Sequence, residues 1–126
     1  MVFVCLHGAA KSVVAAAHFR RLAAARGLGI GAVAAGREPD AELAPSAVEG
    51  LAAEGLTAAP ARPRPVTLYD VDSARHIVSF GCEVPSGAAG RVEQWDVPAV
   101  GEGYAAARDQ IVARVERLVE ALAVGA

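Results

Sequence analysis

Residues 2–12 read Val-Phe-Val-Cys-Leu-His-Gly-Ala-Ala-Lys-Ser. The apolar residues 2–4 predict a buried strand that ends at Cys5. A short loop of small residues around Gly8 follows, and Ser12 is expected to cap the next helix. Such a strand-to-helix turn gathers backbone N–H groups, which favour an anion together with the helix dipole. Because the same field stabilises a thiolate, the stretch predicts a reactive Cys5 beside an oxyanion-binding loop.

The composition is typical of one compact domain spanning residues 1–126. Hydrophobic residues make up 54% of the chain and charged residues 21%, which argues against disorder. The formal net charge of −2 argues against a nucleic-acid-binding protein, which usually carries a basic face. Met1 leads directly into the predicted strand, so we expect no signal peptide, and no apolar run reaches the roughly 18 residues of a membrane span. We therefore expect a cytoplasmic protein with free or redox-active cysteines.

Predicted strands and helices alternate along the rest of the chain. Hydrophobic periodicity and capping signals predict helices at residues 13–26, 47–54 and 105–123, and strands at residues 30–35, 76–80 and 92–97. A short helix is predicted to begin at Thr67, with Asp70 in capping-box position. Residues 37–44, 57–66, 83–90 and 98–103 are predicted as loops or connectors. This order predicts an α/β three-layer sandwich with a four-stranded parallel sheet. Ligands of such folds bind at the carboxyl ends of the strands, where we expect Cys5, Gly36, Cys82 and the loop after Val97.

The motifs in this order resemble the low-molecular-weight protein tyrosine phosphatase superfamily, and within it the arsenate reductases. The superfamily begins with a strand, a Cys-x5-Arg-Ser P-loop and a helix, and this chain has Cys5-x5-Lys11-Ser12. Residues 78–82, Val-Ser-Phe-Gly-Cys, resemble the strand end that carries the second redox cysteine of arsenate reductases. Residues 95–98, Trp-Asp-Val-Pro, and 108–111, Arg-Asp-Gln-Ile, resemble their C-terminal signature. The resemblance therefore covers nearly the whole chain.

The resemblance implies roles for both cysteines and for the loop between the first strand and helix. Cys5 would be the nucleophile, Ser12 would hydrogen-bond its thiolate, and Cys82 would be either a resolving thiol or an inert buried cysteine. The anion would be bound by the whole loop: Leu6, His7, Gly8, Ala9, Ala10, Lys11 and Ser12. The implied ligand is phosphate, arsenate or a phosphorylated substrate. No metal or cofactor is implied, although a thiol reductant such as thioredoxin or a low-molecular-weight thiol is compatible with the reductases.

Three departures from the superfamily pattern bear on activity. Lys11, the only lysine beside eleven arginines, offers a charge but not the two-pronged geometry of the signature arginine. Ala99 stands where the superfamily has its catalytic aspartate, a general acid worth about 10²–10⁴-fold in rate. Asp96 and Glu102 flank that position and are the candidate replacements. Residues 83–85 lack the third cysteine of many thioredoxin-coupled reductases.

The residues therefore support more than one function. The first hypothesis is a cysteine-dependent enzyme, closer to an arsenate reductase (an oxidoreductase) than to a phosphatase (a hydrolase), because reduction tolerates loss of the acid better. The alternative is a non-catalytic relative that binds an oxyanion or a partner protein, or a specialised subfamily with another substrate. The three histidines have no zinc-ligand spacing, and His18 and His76 are expected to be structural. The apolar content is compatible with a homodimer.

Overall fold

The computed structural model describes residues 1–84 and 91–125 of the chain. The strands are β1 (Val2–Cys5), β2 (Val33–Gly36), β3 (Ile77–Ser79) and β4 (Val92–Gln94). The helices are α1 (Lys11–Ala25), α2 (Pro45–Ala53), α3 (Leu68–Ser73) and α4 (Tyr104–Gly125), with a 3-10 turn at Val100–Glu102. All strand pairs are parallel in the order β2-β1-β3-β4, so the predicted α/β fold with a four-stranded parallel sheet is confirmed. Residues 85–90 of the predicted 83–90 loop lie outside the described residues.

The central strand β1 separates two hydrophobic clusters, one on each face of the sheet. Its side chains alternate, so Phe3 and Cys5 join the larger cluster that includes residues of α1 and α4. Val2 and Val4 join the smaller cluster, which contains Val71 of α3. Because all four residues of β1 are buried, the strand reads as a continuous apolar run, as expected for a parallel sheet covered on both faces.

Helix α1 begins earlier than the sequence predicts. It starts at Lys11 with Ala10 as its N-cap, so the prediction that Ser12 caps the helix is wrong. The Ser12 hydroxyl faces a buried thiol instead of the helix N–H groups. The predicted end near Gly27 is confirmed, since this residue has a φ of +68° and Leu28 N–H bonds to the Ala23 carbonyl.

Three predicted strands are longer than the observed ones. Strand β2 begins at Val33 rather than residue 30, because the Gly31 and Ala32 carbonyls accept hydrogen bonds from the N-terminal ammonium and Arg20 rather than from a strand. Strand β4 ends at Gln94 rather than residue 97. The strand predicted at residues 76–80 spans only Ile77–Ser79. Helix α2, in contrast, begins two residues earlier than predicted, at Pro45 rather than residue 47.

The connector before α3 is tied to the end of β2. The predicted capping box is confirmed, with Asp70 N–H donating to Thr67 Oγ1 and Thr67 N–H donating to the Asp70 carboxylate. Arg64 makes two hydrogen bonds to Asp70, at 2.6 and 2.9 Å. The Gly36 N–H donates to the Arg64 carbonyl, and the Gly36 carbonyl accepts from Val66. These bonds hold Gly36 at the edge of β2 that faces away from β1.

The buried residue His18 should make the folded protein less stable at acidic pH. His18 is fully buried with its Nε2 atom 3.4 Å from Glu54 Oε2, and that nitrogen has no hydrogen-bond partner in the described part of the chain. Burial lowers the pKa of His18 more than the Glu54 carboxylate raises it. The Glu54 carboxylate is held by Tyr104 and Arg108. The unfolded chain therefore takes up a proton on residue 18 that the folded chain does not bind.

We expect the free energy of unfolding to fall as the pH is lowered below about 6.5, the ordinary pKa of histidine. Between pH 6.5 and pH 5 the loss from this residue is at most about 2 kcal/mol, since one pKa unit corresponds to about 1.36 kcal/mol. Urea unfolding at several pH values should show a weaker dependence of the free energy of unfolding on pH in His18→Gln than in the wild type. A wild type more stable at pH 5.5 than at pH 7.5 would contradict this expectation.

Candidate functional site

The loop between β1 and α1, residues 6–12, is here called the cysteine loop. The carbonyl oxygens of Cys5 and part of this loop accept hydrogen bonds from N–H groups of residues 37–44, the β2–α2 loop: Cys5 from Arg37 at 3.1 Å, Leu6 from Glu38 at 2.7 Å, His7 from Asp40 at 3.0 Å, and Ala9 from Ala44 at 2.9 Å. Within the described ranges, the N–H groups of residues 6–10 donate to no protein acceptor. Residues 11 and 12 lie in the first turn of α1, where N–H groups have no intrahelical acceptor. The loop therefore presents a run of unpaired N–H groups, which suits an anion.

Two glycines allow this loop to pack against the end of β2. Gly8 has a φ of +61°, a left-handed conformation that glycine adopts without strain. A Cβ atom on Gly36 would lie 2.7 Å from the Gly8 nitrogen, and a Cβ on Gly8 would lie 2.7 Å from the Gly36 nitrogen. Both residues were expected at this edge of the sheet, but their contact was not predictable from the sequence.

Cys5 and Ser12 meet at the base of the loop. The Cys5 Sγ atom lies 3.0 Å from Ser12 Oγ, and both residues are buried. When Cys5 is a thiolate, the hydroxyl is the donor of this hydrogen bond. The first turn of α1 contains no acidic residue, so its positive dipole end is not offset by a carboxylate on that turn. This geometry can hold a thiolate beside a bound anion.

The cysteine loop encloses a cavity of about 310 Å³. Its wall includes Cys5, His7, Lys11 and Asp40 together with Ala99 and neighbouring apolar residues. Lys11 is half-buried and forms no salt bridge within residues 1–84 and 91–125. The lysine therefore brings a positive charge to the cavity that no side chain of the described chain neutralises.

The position of the missing acid also lies at this cavity. Ala99 lines it, as the superfamily pattern predicts for that loop, but Asp96 and Glu102 do not. Asp96 instead offers its main-chain carbonyl to Arg114 at 3.4 Å. The acidic side chain that does line the cavity is Asp40, with Oδ1 3.1 Å from Nδ1 of His7. Sequence reasoning missed Asp40, and the Pro-Asp pair in a polar loop carried no signal that it would reach residue 7.

Cys82 lies on the opposite face of the sheet from Cys5. Its Sγ atom lies 3.3 Å from Ser79 Oγ and 3.9 Å from the Val4 carbonyl oxygen, and it packs against the smaller hydrophobic cluster. Both cysteines are free. Leu6 and Phe80 line both the cavity at Cys5 and a separate depression of about 580 Å³ at Cys82. The structure therefore does not bring the two sulfur atoms together, and a disulfide between them stays a prediction.

The residues described by the structure contain no cluster of three or more His, Cys, Asp or Glu side chains that could hold a metal ion. In the same part of the chain, no helix is long and apolar enough to cross a membrane.

The three histidines lie apart from one another. His18 lies beside Glu54, His76 lies 3.2 Å from Glu93, and His7 lies beside Asp40. Of these, only His7 lines the cavity at Cys5.

Comparisons with known proteins find a matching family and solved structures of similar fold. The family model of the low molecular weight phosphotyrosine protein phosphatases matches residues 1–84. The arsenate reductase of Archaeoglobus fulgidus is 28% identical with a TM-score of 0.80, covering 94% of this chain and 98% of its own. The thioredoxin-dependent arsenate reductase of Corynebacterium glutamicum is 22% identical with a TM-score of 0.78, covering 99% of this chain and 62% of its own.

A third similar structure is a variant of the arginine phosphatase YwlE with a phosphorylated active-site serine. It is 21% identical with a TM-score of 0.81, covering 96% of this chain and 93% of its own. Curated protein sequences give no match. At identities under 25%, structural similarity supports the fold alone, but the family model covers more than half of the chain. The chain belongs to the low molecular weight phosphotyrosine protein phosphatase family.

Proposed function

We propose that this protein binds phosphate or arsenate in the cysteine loop and uses the Cys5 thiolate as a nucleophile towards the bound group. The observation that carries the proposal is the run of unpaired N–H groups around a buried thiol that contacts Ser12. Preorganised N–H groups stabilise charge on a tetrahedral oxyanion without reorganising during the reaction. Lys11 adds a positive charge at the same cavity. The phosphorylated active-site serine of the YwlE variant supports covalent transfer in a protein of similar fold.

Both candidate substrates would share the first step. The Cys5 sulfur attacks phosphorus or arsenic, the new bond to sulfur forms, and the bond to the leaving oxygen breaks. The routes then differ. Water would release phosphate from a phosphorylated cysteine, whereas a thiol would attack the sulfur of an arsenic adduct, form a disulfide and release arsenite. In the second route arsenic is reduced by two electrons and two thiols are oxidised.

Between these routes we favour reduction of arsenate by an external thiol. Ala99 itself supplies no acid for the leaving oxygen of a phosphate monoester. An arsenic adduct of Cys5, in contrast, can be resolved by a thiol that displaces arsenite. Cys82 packs on the face opposite to Cys5, so a low-molecular-weight thiol or a thioredoxin reaches the adduct more directly. A cytoplasmic location fits this chemistry, since reducing systems there keep thiols free.

A non-catalytic oxyanion-binding protein is the second candidate. The observation that favours it is the joint replacement of two residues of the superfamily pattern, by Lys11 and Ala99, at one cavity. Main-chain N–H groups bind an anion whether or not an acid is present. In that case oxyanion affinity would survive Cys5→Ser, while no covalent intermediate and no turnover of arsenate with a thiol would appear.

The test is the rate of alkylation of each cysteine by iodoacetamide, followed by mass spectrometry of the intact chain. Cys82 provides the control within the same molecule, because it is half-buried and does not line the cavity. We expect phosphate, arsenate and vanadate to slow alkylation of Cys5 and to leave that of Cys82 unchanged. Equal rates with and without each oxyanion at Cys5 would overturn the proposal. Arsenate turnover with a thiol then separates the enzyme from the non-catalytic candidate.

A further inference from the structure

We propose that His7 is the proton donor to the leaving oxygen and that Asp40 positions its ring. The proposal rests on the proposed function, because it concerns the same transfer to Cys5. It assigns to two residues of the cavity wall the task that an aspartate at position 99 would otherwise perform. The contact between His7 and Asp40 is the observation that carries it, with 3.1 Å between Nδ1 and Oδ1.

The backbone anchors the pair beside the cysteine loop. His7 belongs to the cysteine loop itself, two residues after Cys5, and its carbonyl accepts from Asp40 N–H at 3.0 Å. The side chains of the pair are therefore anchored by a main-chain hydrogen bond between the same two residues. With Nδ1 beside the carboxylate, the Nε2 atom has no hydrogen-bond partner in the portion of the chain described. Nε2 is the atom available for proton transfer.

The charges at the cavity are consistent with this role. The ionisable side chains that line it are Cys5, His7, Lys11 and Asp40. A protonated His7 neutralises the Asp40 carboxylate, so the acidic residue does not repel the bound anion. Lys11 remains as the cation for the non-leaving oxygens. The pair thus supplies a proton without removing the positive charge that the anion needs.

The two half-reactions balance with His7 as acid and then as base. In the first, the Cys5 sulfur bonds to phosphorus or arsenic, the leaving oxygen departs with its electron pair, and the Nε2 proton moves to that oxygen. Asp40 orients the ring through its contact with Nδ1. In phosphate release, the neutral ring accepts a proton from water as the water attacks phosphorus, and the bond from sulfur to phosphorus breaks. Phosphate leaves, and the thiolate and imidazolium are restored.

The experiment compares two aryl phosphates that differ in how much they need an acid. p-Nitrophenyl phosphate has a leaving group that departs without a proton, whereas phenyl phosphate needs one. We expect His7→Gln to lower kcat/KM for phenyl phosphate by about 10²–10⁴-fold and that for p-nitrophenyl phosphate far less. His76→Gln is the matched control, because His76 also lies 3.2 Å from a carboxylate but away from the cavity, and it should leave both values unchanged.

Asp40 is tested by the same leaving-group comparison. Asp40→Asn should lower kcat for phenyl phosphate selectively with KM nearly unchanged, and Asp40→Glu should restore part of it. Equal losses on both substrates in His7→Gln, or no loss on either, would overturn the assignment. So would a wild type that hydrolyses neither substrate while phosphate still protects Cys5 from alkylation. Absence of that protection would instead overturn the proposed function itself, so the two failures are distinguishable.

Discussion

Replacing Gly36 by alanine is expected to abolish the protection of Cys5 by phosphate. The added Cβ atom would lie 2.7 Å from the Gly8 nitrogen and 2.8 Å from the His7 carbonyl carbon, both in main chain. Because no flexible side chain can move out of the way, the cysteine loop must shift. Overpacking of this kind typically costs about 1–3 kcal/mol of stability. The shift would move the unpaired N–H groups away from the positions that an oxyanion occupies. Oxyanion binding should therefore be lost even though the free energy of unfolding falls only modestly.

The measurement is iodoacetamide alkylation of Cys5 against phosphate concentration, with urea unfolding of the same variant. Gly29→Ala is the matched control, since nothing lies within 4 Å of its Cβ position and its backbone is not left-handed. In this control variant, phosphate should protect Cys5 from alkylation as well as it does in the wild type. Gly8→Ala should repeat the Gly36 result, because it combines the same contact with a positive φ. A folded Gly36→Ala protein with normal protection would show that the close packing of the loops is dispensable.

Replacing Lys11 by glutamine is expected to weaken oxyanion binding by about ten- to a hundred-fold. Hydrogen bonds to charged groups contribute about 1.5–3 kcal/mol, and each 1.4 kcal/mol is about tenfold in affinity. Lys11 lines the cavity and forms no salt bridge with the residues described, so no side-chain carboxylate there offsets its charge. Lys11→Arg is expected to do the opposite and tighten binding, because a guanidinium can bond two oxygens of one anion.

Phosphate and vanadate affinities of the three proteins can be taken from the same alkylation assay. Arg37→Gln is a suitable control, because Arg37 is an exposed cation of the β2–α2 loop that does not line the cavity. It should change affinity little, which would separate the local contribution of Lys11 from the loss of one positive charge on the whole molecule. Unchanged affinity in both Lys11 variants would remove Lys11 from the site.

The elements that depend on local sequence were predictable. The apolar run before Cys5, the glycine after α1 and the Thr67–Asp70 capping box each act within a few residues, and the structure confirms all three. Their order along the chain was enough to predict a parallel sheet, because parallel strands need crossover connections. Strand ends were less predictable, since β2 begins only where its carbonyl groups are free to pair with β1.

Features that depend on distant contacts were not predictable. Asp40 meets His7 only because the β2–α2 loop donates its N–H groups to the carbonyls of the cysteine loop. The side of the sheet on which Cys82 packs depends on the register between β1 and β3 and on the turn at Gly81, where φ is +84°. Ser12 was recognised as a thiol partner by resemblance, but its position inside α1 rather than before it follows from where the helix starts.

The use of main-chain N–H groups for the anion has a consequence for how this loop can diversify. Any residue except proline supplies an N–H, so a loop side chain that takes no part in the chemistry can change while the anion contacts persist. Leu6 is such a residue, since it is exposed and lines the cavity. Drift at position 6 would alter which leaving group or partner is accepted and would leave the shared step at Cys5 untouched. One inherited backbone can in this way serve relatives with unlike substrates.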